Sequence, residues 1–254
     1  MKAYLINLDR AKDRLETSRK TLQQAGIEMV RIEAVDGALL EQPYKNYSQT
    51  LYRLFHGKKT IPSELGCYFS HLKAMQKFLE TDDEYALILE DDIGAGADSR
   101  EIIEVATQFG DFWDILRLSG LRNGHPWKVV EIKKGYHLCV NMARQTGAGA
   151  YVVNRRAAKR MLKAMKTMKL PFDHAFDREW FYGLKALCVT PFPFDQRAFE
   201  HASQIDASKI YSSPKYPAWQ RYWSVFPYRF VNEVSRFIFR LMQYLITKSI
   251  LMFR

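Results

Sequence analysis

"YALILEDDI", residues 85–93, sets five apolar residues directly against three adjacent carboxylates, Glu90, Asp91 and Asp92. The run from Tyr85 to Leu89 has the length and aliphatic character of a buried strand. Three neighbouring acids repel one another, and the small, pliable "GAGAD" (94–98) follows them. Two readings stand open at this point: a solvated strand end, or acids gathered around a cation. If the run is a strand, the acids lie beyond its carboxyl end, where open α/β sheets bind ligands. A carboxylate-only cluster suits a hard divalent ion, Mg²⁺ or Mn²⁺, which commonly shares its shell with phosphate oxygens.

The flanking sequence supports the strand. Ala3 to Leu8 is another short apolar run, followed by Leu15, Leu22 and Ala25 at helical intervals, with Asp9 placed to cap the helix and Gly26 to stop it. "EMVRIEAVDG" (28–37) reads as a second strand, so the opening is a βαβ unit and predicts a parallel sheet. Residues 38–60 are polar and irregular and read as a surface excursion. A helix is expected from Ser63 through "ELGCYFSHLKAMQKFLE" (64–80), feeding the strand at Tyr85. Downstream, Asp98 and Glu101 have capping-box spacing at the start of a helix. "WDILRLSG" (113–120) and "GYHLCVNM" (135–142) are strand-like, and "TGAGAYVVNRRAAKRMLKAM" (146–165) is a Gly-rich turn, a strand and a basic helix. A helix through "HAFDREWFYG" (174–183) and a strand in "KALCVTPFPF" (185–194) complete an α/β domain assigned to residues 1–210, with a basic segment at 211–254.

Composition narrows the class. Of 254 residues 47% are hydrophobic, which excludes general disorder. The cysteines Cys67, Cys139 and Cys188 are scattered and odd in number, as expected in a reducing compartment rather than a disulfide framework or zinc site. "MKAYLINLDR" (1–10) lacks the apolar length of a signal peptide, and no stretch has the roughly 20 uninterrupted apolar residues of a membrane span. A cytoplasmic protein is the expectation.

Around the acids, the first strand ends in "NLDR", bringing Asn7, Asp9 and Arg10 to the same sheet edge, with Arg14 one turn on. Acids beside a metal and a diphosphate point to a nucleotide-dependent transferase. The 63–80 helix carries Ser70 and His71 among apolar neighbours, and a single histidine there serves structure as readily as ligand binding. Asp173 and Asp177 lie one helical turn apart after Pro171; on a cleft-facing helix one of them can act as a general base, and capping is the alternative for Asp173. The chain contains no P-loop, dinucleotide fingerprint or HExxH pattern.

Taken in order, "YLINLDRAKDR", "SELGCYFSHLKAM", "YALILEDDI", and "TGAGAYVVNRRAAKRML" with "LPFD" resemble glycosyltransferase family 25, over Tyr4 to about Asp173. This family includes bacterial lipooligosaccharide galactosyltransferases and collagen galactosyltransferase domains. The resemblance implies a GT-A-like, Rossmann-type fold and inverting transfer of a sugar, most often galactose, from a UDP-sugar with Mn²⁺ or Mg²⁺. It sets Glu-Asp-Asp in place of a DXD motif, with Asp92 and Glu90 on the metal and Asp91 beside them. Asn7, Asp9, Arg10, Ser70 and His71 would line the nucleotide site. Asp173 would be the base, with Asp177 second, and His201 is placed to supply a further metal ligand, though a surface histidine fits as well. Alternatives are the same chemistry on a protein or capsule acceptor, or a non-catalytic nucleotide- or nucleic-acid-binding protein. No nucleic-acid-binding motif is present.

The net charge of +10 is concentrated late: after Tyr211 seven Lys/Arg face one acid, Glu233. At helical spacing Arg229, Glu233, Arg236, Arg240, Gln243 and Thr247 form one stripe, with Val234, Ile238, Leu241, Leu245 and Met252 opposite. The pattern predicts a helix lying on an anionic membrane surface, which would bring the domain to a lipid-linked oligosaccharide acceptor. A helix packed on the body is the other reading.

Overall fold

The computed structural model describes residues 1–121, 124–195 and 214–253. The chain opens as expected, with β1 (Lys2–Asn7), α1 (Lys12–Gln24) and β2 (Met29–Glu33). β1 and β2 pair in parallel from Ala3 opposite Met29 to Asn7 opposite Glu33. Ala11, not Asp9, occupies the N-cap of α1, because the Asp9 carboxylate is drawn to Arg31 on β2.

The stretch read as an irregular excursion holds α2 (Gln49–His56). The Ser48 hydroxyl accepts from Leu51 N–H at 3.4 Å, and Gly57 ends the helix at φ 74°. Two turns of helix give too short a pattern to read; the burial of Tyr52 and His56 by distant residues stabilises it. α3 (Pro62–Leu79) follows, with Pro62 in its first turn and the Glu64 carboxylate accepting from Ile61 N–H at 3.2 Å. It leads into β3 (Tyr85–Glu90), β4 (Gly94–Ala95), α4 (Ser99–Thr107) and β5 (Ile115–Arg117). Asp98 sits at the α4 cap position without capping, since its carboxylate pairs with Lys133 at 3.0 Å. A hairpin follows, β6 (Pro126–Lys133) and β7 (Tyr136–Asn141), of which only the second strand is legible in sequence. The remaining elements are β8 (Ala150–Asn154), α5 (Arg155–Ala164), α6 (Phe172–Phe176), β9 (Ala186–Thr190), β10 (Phe194–Asp195) and α7 (Ala218–Met252).

Eight strands form one sheet in the order β2-β1-β3-β8-β5-β9-β7-β6. β2, β1 and β3 are mutually parallel, but β8 runs antiparallel to both β3 and β5, so the sheet is mixed beyond its first third. Side-chain alternation splits the core. Tyr4, Ile6, Ala86 and Ile88 pack on the side covered by α3, α5 and α6, and Ala3, Leu5, Leu87 and Leu89 on the side of α1 and α4. The result is an α/β sandwich whose strands β1 and β3 end side by side, carrying Asn7 and Glu90 to one edge.

α7 packs in an orientation that corrects the expected use of its charge. Its polar stripe faces the protein: Asn232, Arg236, Arg240 and Thr247 are buried. Arg240 bonds Glu179 Oε1 at 2.7 Å and Asp177 Oδ1 at 3.0 Å, and Arg236 pairs with Asp177 Oδ2 at 3.2 Å. These arginines are therefore internal counter-ions and are not available to lipid headgroups. Among the described residues no helix is long and apolar enough to cross a membrane. The 210/211 boundary and His201 lie outside the described residues.

Candidate active site

Beyond the ends of β1 and β3 a cleft of about 520 Å³ opens between the loop after β2, the N-terminal half of α3 and the start of α6. Two glycines bring its walls together. A Cβ on Gly66 would meet Val35 O at 2.5 Å, and one on Gly37 would meet Pro62 O at 1.8 Å. Ser70 fastens the same contact, accepting from Val35 N–H at 2.8 Å and donating to Gly66 O at 2.6 Å. Ser70 is thus fully engaged in positioning the wall.

The three acids of the opening motif have three different environments. Glu90, the last residue of β3, accepts from His71 at 3.0 Å. His71 is fully buried, stacks on Phe172 with ring centroids 3.9 Å apart, and has its other nitrogen 3.0 Å from the Tyr151 hydroxyl. The arrangement fits Nε2–H donating to Glu90 and Tyr151 O–H donating to Nδ1. Asp91 turns back into the protein, where it accepts from Asn7 Nδ2 at 2.7 Å and pairs with Arg14 at 3.0 Å. Burial raises its pKa, with Arg14 and Asn7 acting against the rise. Asp92 has one carboxylate oxygen, Oδ1, that is buried and without a hydrogen-bond partner. Burial, reinforced by the charges of Glu90 and Asp91, pushes its pKa up to about 7.

The remaining predicted residues divide. Arg10 lines the cleft, held by Asp36. Asp9 is bound by Arg31, which lowers its pKa, and lies outside the cleft lining. Asp173, at the start of α6, faces the cleft and accepts from His174 N–H at 2.8 Å rather than capping the helix. Asp177 is the clear departure. α6 is only five residues long and ends there, so the chain turns the second carboxylate inward. It is buried against Arg117, Arg236 and Arg240. Burial alone would raise its pKa, but Arg240, Arg117 and Arg236 together hold it below the usual carboxylate value. It cannot serve as a base toward a substrate in the cleft.

Two cleft residues escaped the sequence reading. Glu64, whose pKa is raised by burial, accepts from the Tyr52 hydroxyl at 2.7 Å and was legible only as a helix-start acid. Cys67 exposes its thiol to the cleft near His71 and Glu90. Enclosure by the cleft walls and the charges of Glu90, Asp173 and Asp92 raise the thiol's pKa, so it stays protonated and is a poor soft ligand.

The cleft's charge balance is its main chemical property. Six carboxylates line it, Asp36, Glu64, Glu90, Asp91, Asp92 and Asp173, against the guanidiniums of Arg10 and Arg14, which are already paired. A diphosphate is repelled by such a site unless positive charge is added. Glu90 and the partnerless oxygen of Asp92 offer hard oxygen donors to Mg²⁺ or Mn²⁺, so the residues present fit a divalent cation.

Open α/β sheets bind ligands beyond the carboxyl ends of their strands, and the acid-edged cleft lies there, past β1 and β3. Residues 1–176 match glycosyltransferase family 25 (LPS biosynthesis protein), and the chain belongs to that family. It is 26% identical over 176 residues to a candidate glycosyltransferase of Haemophilus influenzae, covering 68% of this chain and 60% of that protein. It is 28% identical over 187 residues to procollagen galactosyltransferase 1 of Danio rerio, covering 67% of this chain and 30% of the relative. A mouse procollagen galactosyltransferase 2 is 33% identical over 95 residues, covering 35% of this chain and 15% of that protein. The chain thus matches less than two thirds of the length of each of these relatives.

Proposed function

We propose that the protein is an inverting glycosyltransferase that moves a sugar from a nucleoside diphosphate, with a divalent cation, onto the oligosaccharide of a lipid-linked acceptor. The observation that carries the reading is the excess of carboxylate in the cleft, with one Asp92 oxygen buried and without a partner. Asp92 and Glu90 would hold the cation, whose contribution when bound is to stabilise negative charge on the diphosphate leaving group. His71, fixed by Phe172 and Tyr151, orients Glu90. Arg10 and Arg14 exchange their carboxylate partners for phosphate oxygens at little geometric cost. Asp173, which lines the cleft from the start of α6, takes the proton of the acceptor hydroxyl as that oxygen attacks the anomeric carbon from the side away from the leaving group.

UDP-galactose as donor is supported by the galactosyltransferase names of the relatives, and a lipopolysaccharide or lipooligosaccharide core as acceptor by the family's description. Work on such an acceptor would place the enzyme at the cytoplasmic face of a bacterial inner membrane. The procollagen relatives support a second reading, the same chemistry on a protein acceptor. A donor screen in Mn²⁺ that follows UDP release tests the assignment on wild type and Asp92→Ala. Full turnover by the variant would remove the metal role of Asp92, and no turnover of any donor by wild type would remove the reaction.

A further inference from the structure

With the polar stripe of α7 turned inward, the opposite side of a 35-residue helix faces outward. That length spans about 50 Å. Trp219, Trp223, Phe230, Phe237, Ile238 and Leu245 all stand exposed along it, with Trp223 at 78% and Phe230 at 72%. Large apolar side chains exposed along one helix face mark an interaction surface. The only acid in the helix, Glu233, is paired with Arg236.

The positive charge comes from a different element. α5 and the residues after it expose Lys159, Lys163, Lys166 and Lys169, and none of these is paired among the described residues. No acid occurs between Arg155 and Phe172. The 3-10 turn Glu179–Tyr182 joins this row to α7. Arg160 donates to Tyr182 O at 3.1 Å and Gly183 O at 2.7 Å, and Trp180 on the same turn stacks on Phe239 of α7, centroids 5.7 Å apart. Phe181, 62% exposed, sits in the turn between the two.

We propose that the outward face of α7 and the lysine row of α5 form one docking surface for an anionic lipid bilayer, with α7 lying in the plane of the interface. Tryptophan and tyrosine toward the start of the helix suit the headgroup boundary, and lysines with free ammonium groups suit acidic headgroups. A second copy of the chain is the rival occupant. Two-fold pairing through α7 would bring two unpaired lysine rows toward each other, and α7 itself carries a single acid, Glu233, already paired with Arg236. The surface stands on exposure and charge alone and is independent of the sugar reaction.

Co-sedimentation of the full chain with vesicles tests it, using phosphatidylcholine alone and phosphatidylcholine with 30% phosphatidylglycerol. Wild type is expected to pellet with the anionic vesicles and to be released by salt. Lys159→Gln/Lys163→Gln/Lys166→Gln should weaken anionic binding on the order of 100-fold, from roughly a factor of five per charge. Trp223→Gln/Phe230→Gln/Phe237→Gln should abolish binding to the anionic vesicles. Neither set touches the cleft, so UDP release in solution should be unchanged, which separates loss of docking from loss of fold or of the reaction. Wild type left in the supernatant with anionic vesicles at low salt would overturn the proposal, as would unchanged binding by the lysine variant. A dimer in light scattering that the α7 substitutions dissociate, with no vesicle binding, would assign the surface to a second copy.

Discussion

Two buried charge clusters lie at opposite ends of α6, and they are built on opposite rules. At the far end, Asp177 and Glu179 are matched by Arg117, Arg236 and Arg240 at 2.7–3.3 Å. In the cleft, Arg14 is the one guanidinium paired with Glu90, Asp91 or Asp92 among the described residues, beside the side-chain hydrogen bonds of His71 and Asn7, and Asp92 Oδ1 has neither a hydrogen bond nor an ion pair. A buried charge that serves the fold is compensated within the chain, because an unpaired one costs several kcal/mol. One left uncompensated is held there by the rest of the structure and is ready for a charge from outside.

The same substitution at the two ends should therefore have opposite effects. Asp177→Asn leaves three arginines around a neutral group and should cost about 3–5 kcal/mol in denaturant unfolding. A cost below about 1 kcal/mol would break the idea that this cluster is structural. Asp92→Asn should cut sugar transfer at least about 100-fold, yet in EDTA it should melt no lower than wild type, because it removes a repelled charge. A lower melting temperature in EDTA would mean that Asp92 is already satisfied.

The contacting rings of buried His56 and partly buried His174, centroids 5.0 Å apart, extend the comparison to bases. Burial, with His174 and Lys58 nearby, brings the pKa of His56 down to about 2, and burial likewise lowers that of His174. Below the unfolded value of about 6.5 the unfolded chain takes up a proton that the folded chain refuses, so stability is lost as pH falls. The loss should reach about 2 kcal/mol at pH 5 for His56, and His56→Gln should flatten the slope. A slope unchanged by the substitution would assign the acid sensitivity elsewhere. The smallest effect concerns Cys67: iodoacetamide should modify it slowly at pH 7, owing to its raised pKa, and bound nucleotide-sugar should slow it further. Rapid modification unaffected by nucleotide would place the thiol outside the donor site.

Much of this was legible in the chain. The β1, α3 and β3 segments carry their periodicity on the surface of the sequence, and the acids after Leu89 sit where strand-end geometry requires. What stayed hidden depended on distant partners. Asp173 and Asp177 have the spacing of one helical face, but α6 ends at the second of them, and nothing local marks that stop. The polar and apolar stripes of α7 were visible, yet a stripe does not say which side meets the protein. That was decided by Asp177 and Glu179, roughly sixty positions earlier, which Arg240 reaches. The direction of β8 was likewise invisible, because a buried apolar strand reads the same whichever way it runs.

The arginines that α7 inserts beside Asp177 also bear on how this polypeptide can be divided. A truncation before Ala218 would remove Arg236 and Arg240, leaving Asp177 and Glu179 with Arg117 alone in an interior now open along one side. α6 would lose the fastening at one end while its other end carries Asp173 into the cleft. The segment that reads as an appendage is thus an interior wall, and a shortened version is expected to lose the acceptor side of its site before it loses the sheet.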